Sequence, residues 1–212
     1  MSMSSYSPPQ RRVPRQERGE RRVAGLLEAA EAVIAEIGYE AATMSAIAER
    51  ARAAIGSLYQ FFPNKASITQ ALRVEYAERF TSMYAPLAAQ AKTLSASTLA
   101  GRLIDLTVQF VESHPALPAL LDAPRSTRTP PAMRNALCEL LAELLLAQNP
   151  RMSKRKALRL GTATLHIIKA LNQLYPELPV PERRWMVREF KVVLLSYFNV
   201  RLASRADRKV RK

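Results

Sequence analysis

The 212-residue chain contains a single cysteine, Cys138, and only two histidines. One thiol excludes an internal disulfide framework and any cysteine-rich zinc site. Phosphate-binding loops, metal-spaced clusters and nucleophile motifs are also missing, so no catalytic residue, metal ligand or cofactor is assigned. Glycine is scarce, at six residues, while alanine and leucine abound. That balance favours helix over sheet, and no sustained apolar/polar alternation marks a half-buried strand. No apolar run approaches the ~18 residues of a membrane span. The opening stretch, MSMSSYSPPQRRVPRQERGE, lacks an apolar segment, so no secretory signal is visible and a cytoplasmic protein is expected.

What the chain does have is apolar content, at 48%, and a formal net charge of +14. The first is enough for a sizeable core; the second favours anionic partners such as nucleic acid, a membrane surface or an acidic ligand. The charge is unevenly placed. Residues 1–65 hold nine basic and seven acidic side chains, a net +2, whereas residues 66–212 hold 23 and 11, a net +12. Bulk charge therefore does not by itself mark a DNA-reading segment.

Residues 1–17 carry Ser, Pro and Arg without periodicity and read as a flexible basic arm. Val23, Leu26, Leu27, Ala30, Val33, Ile34 and Ile37 then recur at helical spacing, predicting an amphipathic helix over about 18–37 that Gly38 can cap. Thr43 can cap a second helix, and a short third helix runs from about Ala54 to Phe61. Asn64 can cap a fourth helix reaching about Gln90, with Pro86 a point of kinking. Further helical patterns occupy roughly 96–113, 115–122, 130–148, 153–174 and 181–203, punctuated by proline pairs such as Asn149-Pro150 and Tyr175-Pro176. The expectation is an all-α protein of about nine helices, with a small unit over 18–65, a larger one over 66–203 and a basic tail over 204–212.

The stretch TMSAIAERARAAIGSLYQFFPNKA, residues 43–66, suits two short helices joined by a tight turn. Ile47, Ala48, Ala51, Ala53, Leu58 and Phe61 fall where the helices must face each other and the first helix. Ile55, Gly56, Ser57 and Gln60 then point outward, small enough to let a helix approach base edges in a major groove. Tyr59 offers a packing ring and a hydroxyl for phosphate. Thr43 and Lys65 each sit at a helix start, where free N–H groups favour anions. Contacts of that kind position a protein on the backbone without reading sequence.

Taken together, Gly38-Tyr39-Glu40-Ala41-Ala42-Thr43, Ile47-Ala48-Glu49-Arg50-Ala51, Gly56-Ser57-Leu58-Tyr59 and Phe62-Pro63-Asn64-Lys65 resemble the N-terminal domain of TetR-family transcriptional regulators. The resemblance implies an all-α homodimer whose small domains bind a palindromic operator while larger domains sense a small-molecule effector. It implies phosphate contacts for Thr43, Tyr59 and Lys65 and groove entry for the helix around Ile55–Gln60. Two residues depart from the family pattern. Arg52 stands in the turn where the family commonly has Gly, which costs on the order of 1 kcal/mol if that residue is left-handed. Ala54 replaces a frequent Ser, leaving the third helix without a side-chain cap at ~1 kcal/mol. Arg52 can gain a phosphate or base contact, or remain a solvated arginine. The arm arginines Arg11, Arg12, Arg15 and Arg18 can enter a minor groove or form a nonspecific tail.

In the larger unit, helix 181–203 is apolar almost all round and must be covered from several sides. Together with helix 153–174 it is the expected homodimer surface, pairing with its symmetry mates as a four-helix bundle. An effector cavity is expected among helices from about 80 to 175, with Tyr84, Phe110, His114, Met133, Leu137, Cys138, His166 and Asn172 as candidates to line it. The alternative function is a basic helical module that coats nucleic acid or membrane surfaces without reading sequence.

Overall fold

The computed structural model describes residues 15–123 and 131–202. The expected arm, up to residue 14, and the tail over 204–212 lie outside them. Among the described residues there are nine helices and no strand: α1 (Arg15–Ala41), α2 (Met44–Arg50), α3 (Ile55–Phe61), α4 (Lys65–Gln90), α5 (Ala96–Ser113), α6 (Leu117–Asp122), α7 (Pro131–Gln148), α8 (Lys154–Glu177) and α9 (Val180–Leu202). No described helix is long and apolar enough to cross a membrane.

The caps explain most of the boundaries. Gly38 leaves helical geometry at φ 77°, ψ 166°, so α1 effectively turns there before a last short stretch. The Thr43 hydroxyl oxygen accepts from the Ala46 N–H at 3.1 Å and starts α2. At the start of α4, Asn64 Oδ1 accepts from Ser67 N–H at 2.9 Å and Ser67 Oγ accepts from Asn64 N–H at 3.3 Å, a reciprocal capping box. Neither internal proline ends its helix. Pro86 lies within α4, and α8 continues through Pro176. At the second site Arg183 donates to the carbonyls of Pro176 and Leu178, at 3.2 and 3.1 Å, so the end of α8 is satisfied from α9.

The turn between α2 and α3 is a Schellman closure. Ala53 N–H reaches Ala48 O and Arg52 N–H reaches Glu49 O, at 2.9 and 3.0 Å. This places Arg52 at the position that glycine normally fills, and its φ is 50°. Ala54 begins α3 with no side-chain cap.

Leu26, Ala30, Ile34, Ile47, Leu58 and Phe62 form the centre of the small unit, and Ile68 and Leu72 of α4 complete it. The expected core role of Phe61 is thus corrected. Phe62 is buried, while Phe61 is 39% exposed, because α3 ends there and the chain turns Phe62 inward from an extended C-cap. In the larger unit α7 and α8 approach closely at Gly161, where an added Cβ would lie 2.6 Å from Cys138 O. Lys191 on α9 pairs with Asp105 on α5 at 2.6 Å. The expectation that α9 is covered from several sides fails within one chain. Only Leu194 and Phe198 of that helix are buried, and Val180, Trp185, Val192, Val193 and Val200 stay exposed.

Arg52→Gly relieves a left-handed non-glycine residue and Ala54→Ser supplies the missing cap. Each is expected to add roughly 1 kcal/mol, a Tm rise of about 2–4 °C by calorimetry for a chain of this size. A lowered Tm in Arg52→Gly would mean that the arginine side chain stabilises the turn more than its backbone strain costs.

Candidate nucleic-acid interface and internal cavity

The solvent face of α3 follows from how its other face is used. Leu58 is completely buried and Phe62 nearly so, which leaves Ile55, Gly56, Tyr59 and Gln60 exposed. Ile55 and Tyr59 are 42% and 50% exposed, large side chains only partly covered by the described residues. At Gly56 nothing lies within 4 Å of an added Cβ, so the backbone there is bare toward solvent. Ser57 is half-buried and its Oγ accepts from Arg22 on α1 at 3.3 Å. Arg22 therefore stands beside this face. Its place was not evident in the sequence, since only tertiary packing brings residue 22 to residue 57.

Thr43, at the start of α2, and Arg52, in the turn before α3, are exposed as well. The Thr43 oxygen serves its own helix as an acceptor, and its O–H remains available to donate. Lys65 differs from its expected environment. Its Nζ donates to the carbonyls of Tyr39 and Glu40 at 2.7 and 3.0 Å and lies 4.3 Å from the centre of the Tyr39 ring. These are carbonyls at the end of α1, where a cation complements the helix dipole. Lys65 is a clamp between α1 and α4, with one ammonium proton left for another acceptor.

A partly open cavity, about 70 Å³, lies between α4, α5, α6, α7 and α8. Of the expected lining residues, Phe110, Leu137 and Asn172 line it. Tyr84, His114, Met133, Cys138 and His166 do not. Tyr84 is wholly buried, with its hydroxyl against Leu103 O and Thr107 Oγ1 at 3.0 and 2.7 Å; it stacks behind Phe80, a wall residue. Burial holds its phenol above the ordinary tyrosine range. His114 stacks on the far side of Phe110, at 4.1 Å between ring centres, with Nδ1 2.8 Å from Phe110 O. Met133 is half-buried outside the lining, and Cys138 and His166 face a separate groove between α7 and α8. Periodicity identified apolar positions on these helices but not which face meets the void.

The cavity wall also includes Arg73, Tyr76 and Lys169, which sequence reasoning missed. Arg73 donates to the Leu120 carbonyl and, at 3.4 Å, to that of Ala123, tying α4 to α6. The Tyr76 ring stands edge-on to Phe110 and His114, while its hydroxyl donates to Glu31 Oε1 on α1 at 2.6 Å. Burial, followed by that carboxylate, pushes the Tyr76 phenol well above its usual range, so it remains a donor throughout the working pH range. One side chain thus touches both the void and the first helix of the small unit.

Residues 26–72 match the family described as bacterial regulatory proteins, tetR family, and residues 95–198 match the tetracyclin repressor-like C-terminal domain. The chain belongs to the TetR family of transcriptional regulators. Its fold is shared by a TetR-family transcriptional regulator from Streptomyces coelicolor, with TM-score 0.65 and 22% identity over 85% of this chain and 99% of that one. The FadR regulator of Bacillus subtilis, solved with stearoyl-CoA, gives TM-score 0.62 and 17% identity over 82% and 95% of the two chains. NalD of Pseudomonas aeruginosa, described as the secondary repressor of the MexAB-OprM multidrug efflux pump, gives 0.54 and 19% over 82% and 95%. No curated protein matches the chain.

Removing the Lys65 clamp by Lys65→Ala is expected to lower stability in the absence of DNA by about 1 kcal/mol, with Lys65→Arg recovering part of it. Thermal unfolding of the DNA-free protein measures this. An unchanged Tm in the alanine variant excludes the clamp.

Proposed function

We propose that this regulator is a ligand-responsive, sequence-specific repressor that binds a palindromic operator as a homodimer and is released by a small molecule in the cavity. The observation that carries the DNA half is the bare outer face of α3, with Ile55, Gly56 and Gln60 exposed on a helix anchored by Leu58. A major groove admits such a helix, and its outward side chains are short enough for close approach. In this reading Ile55 meets a thymine methyl and Ser57 or Gln60 reads a base edge. Thr43, Arg52 and Tyr59 hold phosphates, joined by Arg22 and the remaining proton of Lys65.

The exposed seam on α9 supports the dimer. Trp185 and Val192, then Val193 and Val200, are spaced by seven residues, the repeat of a helix seam, and each is more than half exposed in the single chain. Pairing α8 and α9 with their mates covers these residues and sets two α3 helices about 34 Å apart, one turn of DNA. The dual position of Tyr76 supports the ligand response. A molecule that shifts its ring also strains the bond to Glu31, and so favours one placement of α1 over another. The stearoyl-CoA of FadR and the efflux system controlled by NalD fit a regulator whose effector is a small molecule.

Fragments selected from genomic DNA by the purified protein supply the operator, which is then titrated at several salt concentrations. A repressor of this kind prefers its operator to bulk DNA by at least about 1,000-fold; equal affinity for scrambled DNA, RNA and anionic vesicles would instead favour a nonspecific coating module. Tyr59→Phe is expected to weaken binding to all sequences alike, while Ser57→Ala or Gln60→Ala changes base preference. Tyr76→Phe is expected to retain operator affinity and lose at least half of the effector response, read as DNA release by fluorescence anisotropy.

A further inference from the structure

Resting on α3 as the operator-reading face, we propose that the opposite end of the larger unit holds a second segment of duplex DNA, by its phosphates and without reading sequence. α4 sets the distance. Its start packs in the small unit, and its 26 residues rise about 39 Å to Gln90. Gln148, at the end of α7, donates to the carbonyls of Ala91 and Leu94, and Arg102 of α5 donates to Gln90 Oε1 at 2.8 Å. The neighbouring Asn149 and Lys156 donate to the carbonyls of Leu202 and Arg201, at 2.9 and 3.4 Å. The end of α4, the start of α5, the α7–α8 turn and the end of α9 therefore meet at one distal end. An operator seated on α3 lies beyond the other end of α4, out of reach of side chains here.

Charge is concentrated at this end. Lys92 follows α4, Arg102 lies in α5 and Arg201 in the last turn of α9. Arg151, Lys154, Arg155, Lys156 and Arg159 occupy the α7–α8 turn and the first turns of α8. All eight are exposed, and none forms an ion pair among the described residues. No Asp or Glu occurs in residues 79–104, 144–176 or 190–202. The other ten cations of residues 66–202 are balanced by ten acids, so the distal end carries the whole excess of that stretch. In sequence, five more cations follow Leu202 within ten residues, against Asp207 alone. The fold gains nothing from such charge, because like charges repel and cations at the start of α8 oppose its dipole. A partner that brings many anions relieves both costs.

The chemistry of the surface selects that partner. Of the large apolar side chains left exposed, only Val200 lies near this end, in the seam assigned to the dimer. An interfacial membrane helix needs a broad apolar face, a protein interface needs buried anchors, and single strands need aromatic platforms for their bases. A duplex backbone needs cations alone. Five of the eight here are arginines, whose fork matches phosphate oxygens. In the proposed dimer, two heads on one operator put both distal ends on the side away from it. A flanking segment of the same DNA molecule is tethered to the operator and meets this surface at high effective concentration.

The test compares the full-length protein with the triple variant Lys154→Gln, Arg155→Gln, Arg159→Gln. Both are titrated by fluorescence anisotropy with the selected operator and with a short unrelated duplex, at several salt concentrations. Complexes saturated with bead-bound operator are then offered the labelled unrelated duplex. The wild-type complex is expected to capture it; the variant captures at least about tenfold less while its operator affinity stays within about twofold. For the unrelated duplex, the slope of log affinity against log salt is expected to be shallower in the variant by about two to three. An operator complex that captures no duplex, or a variant that captures as much as the wild type, overturns the proposal. So does a variant that loses operator affinity equally, which places these cations on the operator itself. Phosphatidylglycerol vesicles or single-stranded DNA captured as tightly as the duplex overturn it as well. If the protein shows no operator preference, the reading of α3 falls, and the unrelated-duplex titrations of wild type and variant still decide the distal site.

Discussion

One continuous helix carries the hydrophobic core from the small unit into the larger one. Ile68 and Leu72, in the first turns of α4, are completely buried against the small unit. Tyr76, Ala77 and Phe80, one to two turns further on, form the cavity wall. An α-helix does not bend freely between such points, and Pro86 lies beyond both. Any expansion of the cavity that moves α4 must therefore be absorbed at its start, where the Asn64–Ser67 capping box and the Lys65 clamp fix it to the end of α1. On the proposed reading, the small unit cannot be indifferent to what fills the cavity. Communication between the halves requires no separate device, only a rigid element with two sets of neighbours and two arrangements of similar energy.

The same constraint clarifies the strained turn. Arg52 occupies a left-handed position and α3 starts without a side-chain cap, so local sequence preference favours this motif less than it could. Its geometry is imposed from outside, by Ile47, Ala48, Leu58 and Phe62 packed on α1 and the start of α4. Burial of those side chains, at about 1.5–3 kcal/mol for each large one, outweighs two local costs near 1 kcal/mol. The helix-turn-helix is thus held by its neighbours more than by its own sequence. That is the condition under which a shift in α1 or α4 alters how α3 is presented.

Much of the fold was legible in the residues themselves. Nine helices among the described residues followed from apolar spacing and proline punctuation; Thr43 and Asn64 each precede a helix start by one residue, while Gly38 marks a break inside α1, which runs on to Ala41. Arg52 and Ala54 stood out as departures from the TetR-family pattern that the neighbouring residues resemble, and the turn and cap geometry bear out both costs. Pro176 was misleading, since its helix end is repaired by Arg183 from another helix. Phe61 and Phe62 were exchanged because adjacent aromatics at a helix end give no period to decide between them. The cavity was least legible. Phe110, Leu137 and Asn172 line it, but Tyr84 and His114 support it from behind, and Arg73, Tyr76 and Lys169 emerged only from packing. A void is a property of five helices at once, and no window along one helix contains it.

Charge placement gives the last constraint on how such a molecule would hold DNA. The segment that carries α1–α3 is nearly neutral, at +2 over residues 1–65, while +12 resides in the remainder. On the proposed reading, the groove-facing surface relies on hydroxyls, helix N-termini and a few arginines. Lys65 spends two of its three protons on carbonyls of its own chain. Each half-site then neutralises few phosphates with full cations, and few counterions are released on binding. Specific contacts of α3 must accordingly supply a larger share of the affinity than in a strongly basic DNA-binding domain. The positive charge of the larger unit acts mainly before contact. It draws the protein toward DNA over roughly a Debye length, about 8 Å at physiological salt, and adds little once the complex has formed. On the same reading, a head of low charge also holds nonspecific DNA weakly, so release by an effector would need to overcome only the specific contacts, which would depend on the spacing of the two α3 helices of a dimer.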